Sequence, residues 1–318
     1  AAAAWAIAPF AVFFGVEARG YSLLACLVAA STVTLMRAVR GGRWPWAAYA
    51  ALTTATIYTH YTSIFAIGAQ ALWVLLFHRR SVLPLVGCYA VAAIAFVPWI
   101  GELRKDQNAL GSVIIAFLNP LSVRTFFEGV GRWLLGTPFL PLARVPGTAG
   151  ELLVTAGIVG AGAGVSWAWL QGGRRRPSIR PEIALLALVA VAAPVGVVAV
   201  SLVGNDIFMA RNLMSSLPCV IALAGILLAK PARPVALAAT AAVLIGLGAG
   251  AIRLLGADQR RTDWKGAAAY VDRVAASPAD VVYEYGTLNL AEPPWRQLDV
   301  NLRRPHRRLS GAKPVDAA

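Results

Sequence analysis

The sequence is poor in charged residues. Only 14% of its 318 residues are charged, 15 of them acidic, whereas 58% are hydrophobic. In a soluble globular domain roughly a quarter of the residues are charged. Several apolar runs approach or exceed the ~18 residues that a helix needs to cross a bilayer. The composition therefore excludes an ordinary soluble domain and predicts a polytopic membrane protein.

Cysteine and histidine are also scarce, with three residues of each type. The cysteines Cys26, Cys88 and Cys219 lie inside apolar runs and have neither the spacing of a metal site nor that of a disulfide framework. We interpret them as small buried hydrophobic side chains. No Ser/His/Asp pattern, glycine-rich phosphate loop or H-E-x-x-H sequence stands out. The sequence indicates neither a metal site nor a cofactor, and a divalent-metal requirement is not readable from it.

The formal net charge of +14 is the one feature that could suggest nucleic acid. The basic residues, however, fall in clusters between apolar runs and in the C-terminal tail, as in loops that face anionic lipid headgroups. We therefore expect the partner to be a lipid bilayer and not nucleic acid.

The apolar runs predict an all-α polytopic bundle with about eight full spans. Residues 1–15 are expected to be the end of a spanning helix with a kink at Pro9, so that the chain enters in the middle of a transmembrane segment. The predicted full spans are 21–38, 44–58, 61–77, 82–100, 149–170, 183–203, 213–229 and 235–255.

The rest of the chain predicts a long loop and a small second domain. Residues 1–256 form the expected transmembrane domain, whose loop 101–147 contains an amphipathic helix at 123–135 that would lie at the membrane interface. Residues 257–318 are expected to form a small α/β appendage with a helix at 263–276 and a strand at 281–285.

The distribution of arginine and lysine predicts the orientation. Counting alternate loops, four short, strongly basic connections fall on one side, which the positive-inside rule assigns to the cytoplasm. Loop 101–147 and the C-terminal tail then lie outside the cell membrane, together with every polar break of catalytic potential. The basic connections centre on Arg37–Arg43, Arg79–Arg80, 174–180 and Lys230–Arg233.

Two short polar breaks near the N-terminus carry the first candidate residues, Glu17 with Arg19 and then His60. Ionisable groups at membrane depth usually face a bundle interior or a wet cavity. In a functional interpretation Arg19 binds a phosphate, Glu17 orients it or a sugar hydroxyl, and His60 contacts the diphosphate or sugar. Alternatively, Glu17 and Arg19 are an ordinary interfacial pair at a helix end, and His60 caps a turn.

A third break places Arg211 and Asn212 directly at the start of a span. An arginine at a helix N-terminus opposes the helix dipole, so an anionic partner would explain it. A phosphate would gain from both the guanidinium and the free backbone N–H groups there.

These motifs resemble the bacterial family 39 glycosyltransferases, relatives of the dolichyl-phosphate-mannose protein mannosyltransferases and of the lipid A aminoarabinose transferase. The resemblance rests on Glu17-Ala18-Arg19-Gly20-Tyr21, on Tyr58-Thr59-His60-Tyr61, on Arg211-Asn212-Leu213 before Leu217-Pro218, and on Asp263-Trp264-Lys265. It implies a GT-C fold that takes a mannose- or arabinose-like sugar from a polyprenyl-phosphate donor. Transfer would occur at the outer face of the plasma membrane, to a hydroxyl on lipid, glycan or protein.

The resemblance also implies roles for individual residues. Arg19, Tyr21, Tyr61, Arg211 and Asn212 become the candidate substrate-binding residues, and the two arginines are the candidates for the donor phosphate.

An inverting displacement needs a carboxylate base near the acceptor hydroxyl and cations at the leaving phosphate. Glu17 and His60 become supporting candidates beside the two arginines. The family's catalytic aspartate follows its first transmembrane helix, so the base is expected to be missing from this chain as an N-terminally truncated member. Asn212 also stands where the family has tyrosine. Two alternatives stay open, a transporter or flippase of polyprenyl-linked sugars and a non-catalytic membrane scaffold; a transporter would show internal repeats and broken helices at the midplane.

Overall fold

The computed structural model describes most of the chain, and its contacts divide it into two units, Ala1–Leu255 and Gly256–Ala318. The described residues are 1–16, 19–107, 121–136, 147–171, 180–204, 206–256, 264–274, 281–285, 301–303 and 307–311.

The first unit begins with two short helices, α1 (Ala2–Ile7) and α2 (Pro9–Gly15). Ala8 between them has an extended backbone, with φ −62° and ψ 117°. A proline disfavours the helical conformation of the residue before it, so Pro9 interrupts the helix at Ala8 and starts the next one as its first residue. The kink predicted at Pro9 is thus a complete break.

Five helices follow within the described range 19–107. They are α3 (Tyr21–Ala38), α4 (Arg43–Thr59), α5 (Ser63–Phe77), α6 (Val82–Phe96) and α7 (Ile100–Gln107). The 3₁₀ turns Arg79–Ser81 and Val97–Trp99 flank α6 and join it into a continuous helical run.

In the described residues from 121 to 255, this unit has five further helices and one long 3₁₀ segment. The helices are α8 (Val123–Leu135), α9 (Thr148–Gln171), α10 (Pro181–Val203), α11 (Leu217–Leu228) and α12 (Arg233–Arg253). The 3₁₀ helix Ala210–Ser216, here called the Arg211 segment, leads directly into α11. Helix α8 begins at a capping box, because Ser122 and Thr125 each bond the other's backbone N–H.

Six helices among the described residues are long and apolar enough to cross a membrane, so the chain is a mostly helical, multi-pass membrane protein. Two of the eight predicted spans are not among them: α5 has 15 residues and α4 has 17. At a rise of 1.5 Å per residue these helices extend only about 22–26 Å, less than the ~30 Å hydrocarbon core. The six are Tyr21–Ala38, Arg79–Lys105, Thr148–Ala168, Pro181–Val203, Ala210–Leu228 and Arg233–Arg253.

A buried polar network joins α3, α4 and α5 at the centre of the first unit. The Gln70 amide donates to Ser31 Oγ and Thr32 Oγ1, both at 3.0 Å, and Gln70 Oε1 accepts the Tyr49 hydroxyl at 2.8 Å. Between helices in a membrane, such side-chain hydrogen bonds supply attraction that the hydrophobic effect does not. Gln70 therefore defines how these three helices pack.

Helices α9 and α12 pack closely at two glycines. A Cβ at Gly157 would lie 2.7 Å from the Ala239 carbonyl oxygen, and one at Gly246 would lie 2.6 Å from the Gly150 carbonyl oxygen. Because the neighbouring atoms are backbone, a side chain at either position would force the helices apart.

Helix α10 receives a side chain near the middle of its 23 residues. The Ala193 N–H donates to Ser216 Oγ at 3.1 Å, and the Ser216 hydroxyl donates to the Val189 carbonyl at 2.5 Å. The hydroxyl thus bonds to the backbone of α10 immediately before Pro194, which itself has no N–H to donate. Ser216 ends the Arg211 segment, so these two hydrogen bonds connect this segment to α10.

The second unit contains helix α13 (Trp264–Val274) and strands β1 (Val281–Tyr285) and β2 (Arg307–Gly311). The strands pair in parallel, with Val281 opposite Arg307 and Tyr285 opposite Gly311. The Arg303 N–H donates to the Asp272 carboxylate at 2.8 Å and connects the end of α13 to the chain before β2.

Candidate functional site

Three of the predicted site residues meet at one end of the helical bundle. Tyr21 begins α3, His60 follows the last residue of α4, and Arg211 lies in the segment that leads into α11. The Tyr21 and His60 rings are 5.3 Å apart, and the Arg211 guanidinium is close enough to act electrostatically on His60. The structure therefore brings together residues that are 39 and 151 positions apart in the chain.

Close backbone packing holds the first two breaks together. A Cβ at Gly20 would lie 3.0 Å from Thr59 Cγ2 and 3.3 Å from the Thr59 carbonyl oxygen. The Ser22 hydroxyl donates to the Phe14 carbonyl at 2.7 Å, which ties the start of α3 to the end of α2. Glycine at position 20 permits this approach of α3 to the end of α4.

His60 is held by its neighbour Thr62. The Thr62 N–H lies 3.3 Å from His60 Nδ1, and the Thr62 hydroxyl lies 2.9 Å from the same atom. A backbone N–H can only donate, so Nδ1 is an acceptor and the proton of the neutral ring lies on Nε2. His60 therefore offers an Nε2–H donor.

Burial of the imidazole, together with the positive charge of Arg211, lowers the pKa of His60 from its ordinary value of 6.5. Both causes disfavour the protonated ring. His60 is accordingly neutral at pH 7, in the state in which its Nδ1 accepts from Thr62.

Because the pKa of His60 is lowered in the folded protein, acid is expected to destabilise the fold through this residue. The unfolded chain binds a proton near pH 6.5 and the folded chain resists it, so stability is fully present above pH 6.5 and falls as the pH drops toward the lowered value. With only three histidines in the chain, NMR of ¹³C-labelled histidine can follow each ring. We expect the signal that is lost in His60→Gln to titrate below pH 6.5, and a midpoint at or above 6.5 would contradict the assigned environment.

Arg211 forms no ion pair with a carboxylate among the described residues, and it is half-buried. The neighbouring polar groups are occupied elsewhere. Asn212 Nδ2 donates to the Ile207 carbonyl at 2.7 Å, and the two Asp206 oxygens accept the N–H groups of Phe208 and Leu121. Asp206 and Asn212 thus shape the loop that presents Arg211, and the guanidinium is available to an anion.

The backbone at the start of α5 provides no anion site. The N–H groups of Ser63, Ile64 and Phe65 donate to the carbonyls of His60, Tyr61 and Thr62 at 3.0–3.3 Å. Those donors are the ones that an anion would use at a helix N-terminus. Positive charge at this end of the bundle must therefore come from side chains.

The remaining predicted site residues, where the structure describes them, have different surroundings. Glu17 lies outside the described residues. Arg19 is exposed at the bend between α2 and α3. Tyr21 is only 7% exposed and also contacts Phe14 at 4.9 Å, so it supports the His60 ring from within the core. The Tyr61 hydroxyl accepts the Trp99 indole N–H at 3.0 Å.

An apolar groove of about 770 Å³ starts beside this cluster, here called the α3 groove. On α3 it runs from Ser22, next to Tyr21, to Arg37 near the other end of the helix. Fifteen residues of helix cover about 22 Å, most of the thickness of a hydrocarbon core. The groove is closed on its other side by α1, α2 and the residues Pro218 and Ile221 of α11.

A second apolar cavity of about 670 Å³ lies among α8, α9, α11 and α12. The amphipathic helix α8, predicted to lie at the interface, contributes Gly131, Leu134 and Leu135 to this cavity and buries Trp133 in the core. No group of three or more His, Cys, Asp or Glu that could hold a metal occurs in the described part of the chain.

Sequence reasoning missed Thr62 and both cavities. Thr62 follows His60 by two residues, a spacing typical of local side-chain hydrogen bonds, so a signal was present. No local sequence pattern predicts the two cavities, because residues from four or five separate segments line each of them.

No protein-family model, curated protein or solved structure matches this chain.

Proposed function

We propose that this chain is a membrane glycosyltransferase of the GT-C type, with the eight-span bundle that its sequence predicts. It takes a mannose- or arabinose-like sugar from a polyprenyl-phosphate donor and transfers it to a hydroxyl on lipid, glycan or protein. The proposal assigns the reaction to the outer face of the plasma membrane and the C-terminal unit to the same side. The observation that carries it is the half-buried Arg211, without a carboxylate partner in the described chain, which acts electrostatically on His60. The ring of His60 lies against Tyr21, and the next residue of α3, Ser22, lines the α3 groove.

A polyprenyl phosphate has two parts, and this end of the bundle offers an environment for each. The anionic phosphate needs a cation, which Arg211 supplies with up to five N–H donors. The isoprenoid chain needs a long apolar surface, and the α3 groove provides one that covers most of the thickness of the hydrocarbon core. A soluble sugar nucleotide has no long apolar chain that could occupy this groove.

The residues of the cluster then take distinct parts. Arg211 holds the phosphate and stabilises the charge that develops on it as the glycosidic bond breaks. His60, neutral and with its proton on Nε2, donates to a phosphate or sugar oxygen without adding charge. Tyr21 supports the His60 ring, Asn212 supports the loop of Arg211, and the exposed Arg19 is a second cation for the phosphate.

The general base is the part of the reaction that this cluster does not supply. Both oxygens of Asp206 already accept backbone N–H groups, so this carboxylate acts as a support for the loop. We assign the proton transfer to a carboxylate outside the described residues, with Glu17 as the candidate within this sequence.

The direct test measures transfer in proteoliposomes. The protein is supplied with radiolabelled polyprenyl-phosphate mannose or arabinose, and the label is followed into lipid, glycan and protein fractions of the envelope. We expect label to appear in one of these fractions in a reaction that His60→Ala and Arg211→Ala both weaken. Binding of both donors without any transfer would contradict the enzymatic proposal.

A flippase of polyprenyl-linked sugars is the second candidate, and the internal Pro194 of α10, beside the backbone groups that Ser216 bonds, favours it. Interruptions of helices at mid-membrane are typical of transporters, and a proline inside a helix removes one backbone hydrogen bond there. The same proteoliposomes separate the two functions. Movement of the labelled lipid to the opposite leaflet, without transfer of its sugar, would support the flippase.

A further inference from the structure

An exposed aromatic cluster lies next to His60 and is not used by the function proposed above. It consists of Tyr58, Tyr61, Phe96 and Trp99, from the end of α4 and the end of the α6 run. The Tyr58 ring is 5.5 Å from Phe96 and 5.9 Å from Trp99. Tyr58, Tyr61 and Trp99 remain 41%, 37% and 39% exposed.

The polar atoms of Tyr58, Tyr61 and Trp99 are hydrogen-bonded to other protein groups. The Tyr58 hydroxyl donates to the Ala95 carbonyl at 2.6 Å, and the Trp99 indole N–H donates to the Tyr61 hydroxyl at 3.0 Å. Interfacial aromatic residues that merely anchor a protein turn their polar ends toward water and headgroups. Here the hydrogen bonds hold the rings against each other and against the backbone.

The position of the cluster excludes an alkyl chain as its natural ligand. Tyr61 follows His60 directly, about 3.8 Å away between Cα atoms. Trp99 lies three residues before Glu102, in a run that continues to the charged Arg104 and Lys105. The cluster is thus at the polar end of the helices, beside the place proposed for the phosphate, whereas an isoprenoid chain would run along the α3 groove.

A sugar ring has the surface that fits such a cluster. One face of a pyranose or pentose carries several C–H groups, whose hydrogens are weakly positive, while its hydroxyls point outward to water. The faces of aromatic rings are negative and apolar, so they attract such a C–H face. Because Tyr61 directly follows His60 in the chain, the sugar of a donor bound at Arg211 is the candidate ligand for these rings.

We propose that Tyr61 and Trp99, held by Tyr58 and Phe96, form a stacking site for the sugar ring of the lipid-linked donor. This site rests on the proposed function, because the phosphate at Arg211 is what brings the sugar to it. In this proposal, the residues that recognise the donor sugar differ from those that bind the lipid phosphate.

The test compares three lipids, one without a sugar and two that carry different sugars. Affinities of the purified protein in nanodiscs are measured for polyprenyl phosphate and for polyprenyl-phosphate mannose and arabinose. We expect wild type to bind one of the sugar-bearing lipids about tenfold more tightly than the bare phosphate. Trp99→Ala is expected to remove this advantage and to leave affinity for polyprenyl phosphate within twofold. Trp99→Phe, which keeps a ring, is expected to retain most of it.

Trp44→Ala is the matched control, because this tryptophan is 86% exposed at the opposite end of α4. It should keep the sugar preference of wild type. Equal binding of all three lipids by wild type, or a preference that survives Trp99→Ala, would overturn the stacking site and leave the phosphate site intact. If wild type bound none of the lipids, the proposed function would fail with it.

Discussion

Replacing Arg211 with alanine is expected to lower the affinity for polyprenyl phosphate by about 10- to 100-fold. A hydrogen bond to a charged group contributes roughly 1.5–3 kcal/mol, and 1.4 kcal/mol corresponds to a factor of ten. The loss should be at the upper end because no carboxylate of the described chain pairs with this guanidinium in place of the ligand.

The measurement is equilibrium binding of a radiolabelled polyprenyl phosphate in nanodiscs. Arg211→Lys should be intermediate, since lysine keeps the charge but not the planar pair of donors. Arg40→Ala is the control, because Arg40 is an exposed arginine at the other end of α3 whose 3.0 Å pair with Glu182 contributes little. Unchanged affinity in Arg211→Ala would remove the phosphate site. The pKa of His60 offers an independent readout, because a phosphate bound beside Arg211 should raise it toward 6.5.

Replacing Gly157 with leucine is expected to produce a large loss of stability in the transmembrane unit. Even a single Cβ would lie 2.7 Å from both the Ala239 carbonyl oxygen and Val243 Cγ2. Overpacking of this kind costs about 1–3 kcal/mol, and about 2–4 °C in melting temperature is lost per kcal/mol in a protein of this size. We expect a decrease of roughly 5–10 °C for Gly157→Leu and a smaller one for Gly157→Ala.

Gly160 provides the matched control for this substitution. It lies on the same helix α9, and a Cβ at this position has no heavy atom within 4 Å. Gly160→Leu should therefore leave the melting temperature in detergent nearly unchanged, with a slight gain because glycine is a poor helix former. Equal effects of the two leucine substitutions would contradict the close packing of α9 against α12.

The sequence predicted the helices well where the signal is local. Helix α8 begins and ends at the predicted residues, Val123 and Leu135, since Ser122 supplies an N-cap and the apolar residues recur at helical spacing. Pro9 predicted a distortion, and the structure has a break there. Hydrophobicity alone, however, could not separate α4 and α5 from the six longer candidate spans. An apolar run indicates that a segment avoids water, but it does not give the length of the helix that forms.

The candidate site was predictable only in outline. Counting alternate spans placed the breaks of His60 and Arg211 at one end of the bundle, and the structure brings these two residues together. Which atoms meet there depends on helix rotation, which composition does not determine. Tyr21, for example, was predicted to bind substrate, yet it is largely buried between Phe14 and His60. Glu17 remains a prediction, since it lies outside the described residues.

The sequence by itself determined that this is a multi-pass helical membrane protein, because long apolar runs with few charges can satisfy their backbone in lipid only as helices. Only the tertiary structure decided that Ser216 bonds to the backbone of α10, that Gly157 and Gly246 bring α9 and α12 together, and that Arg211 acts on His60. Each of these contacts joins residues that are 20 to more than 150 positions apart. Such a contact depends on how helices rotate and slide against one another, and that choice is made by packing across the whole bundle.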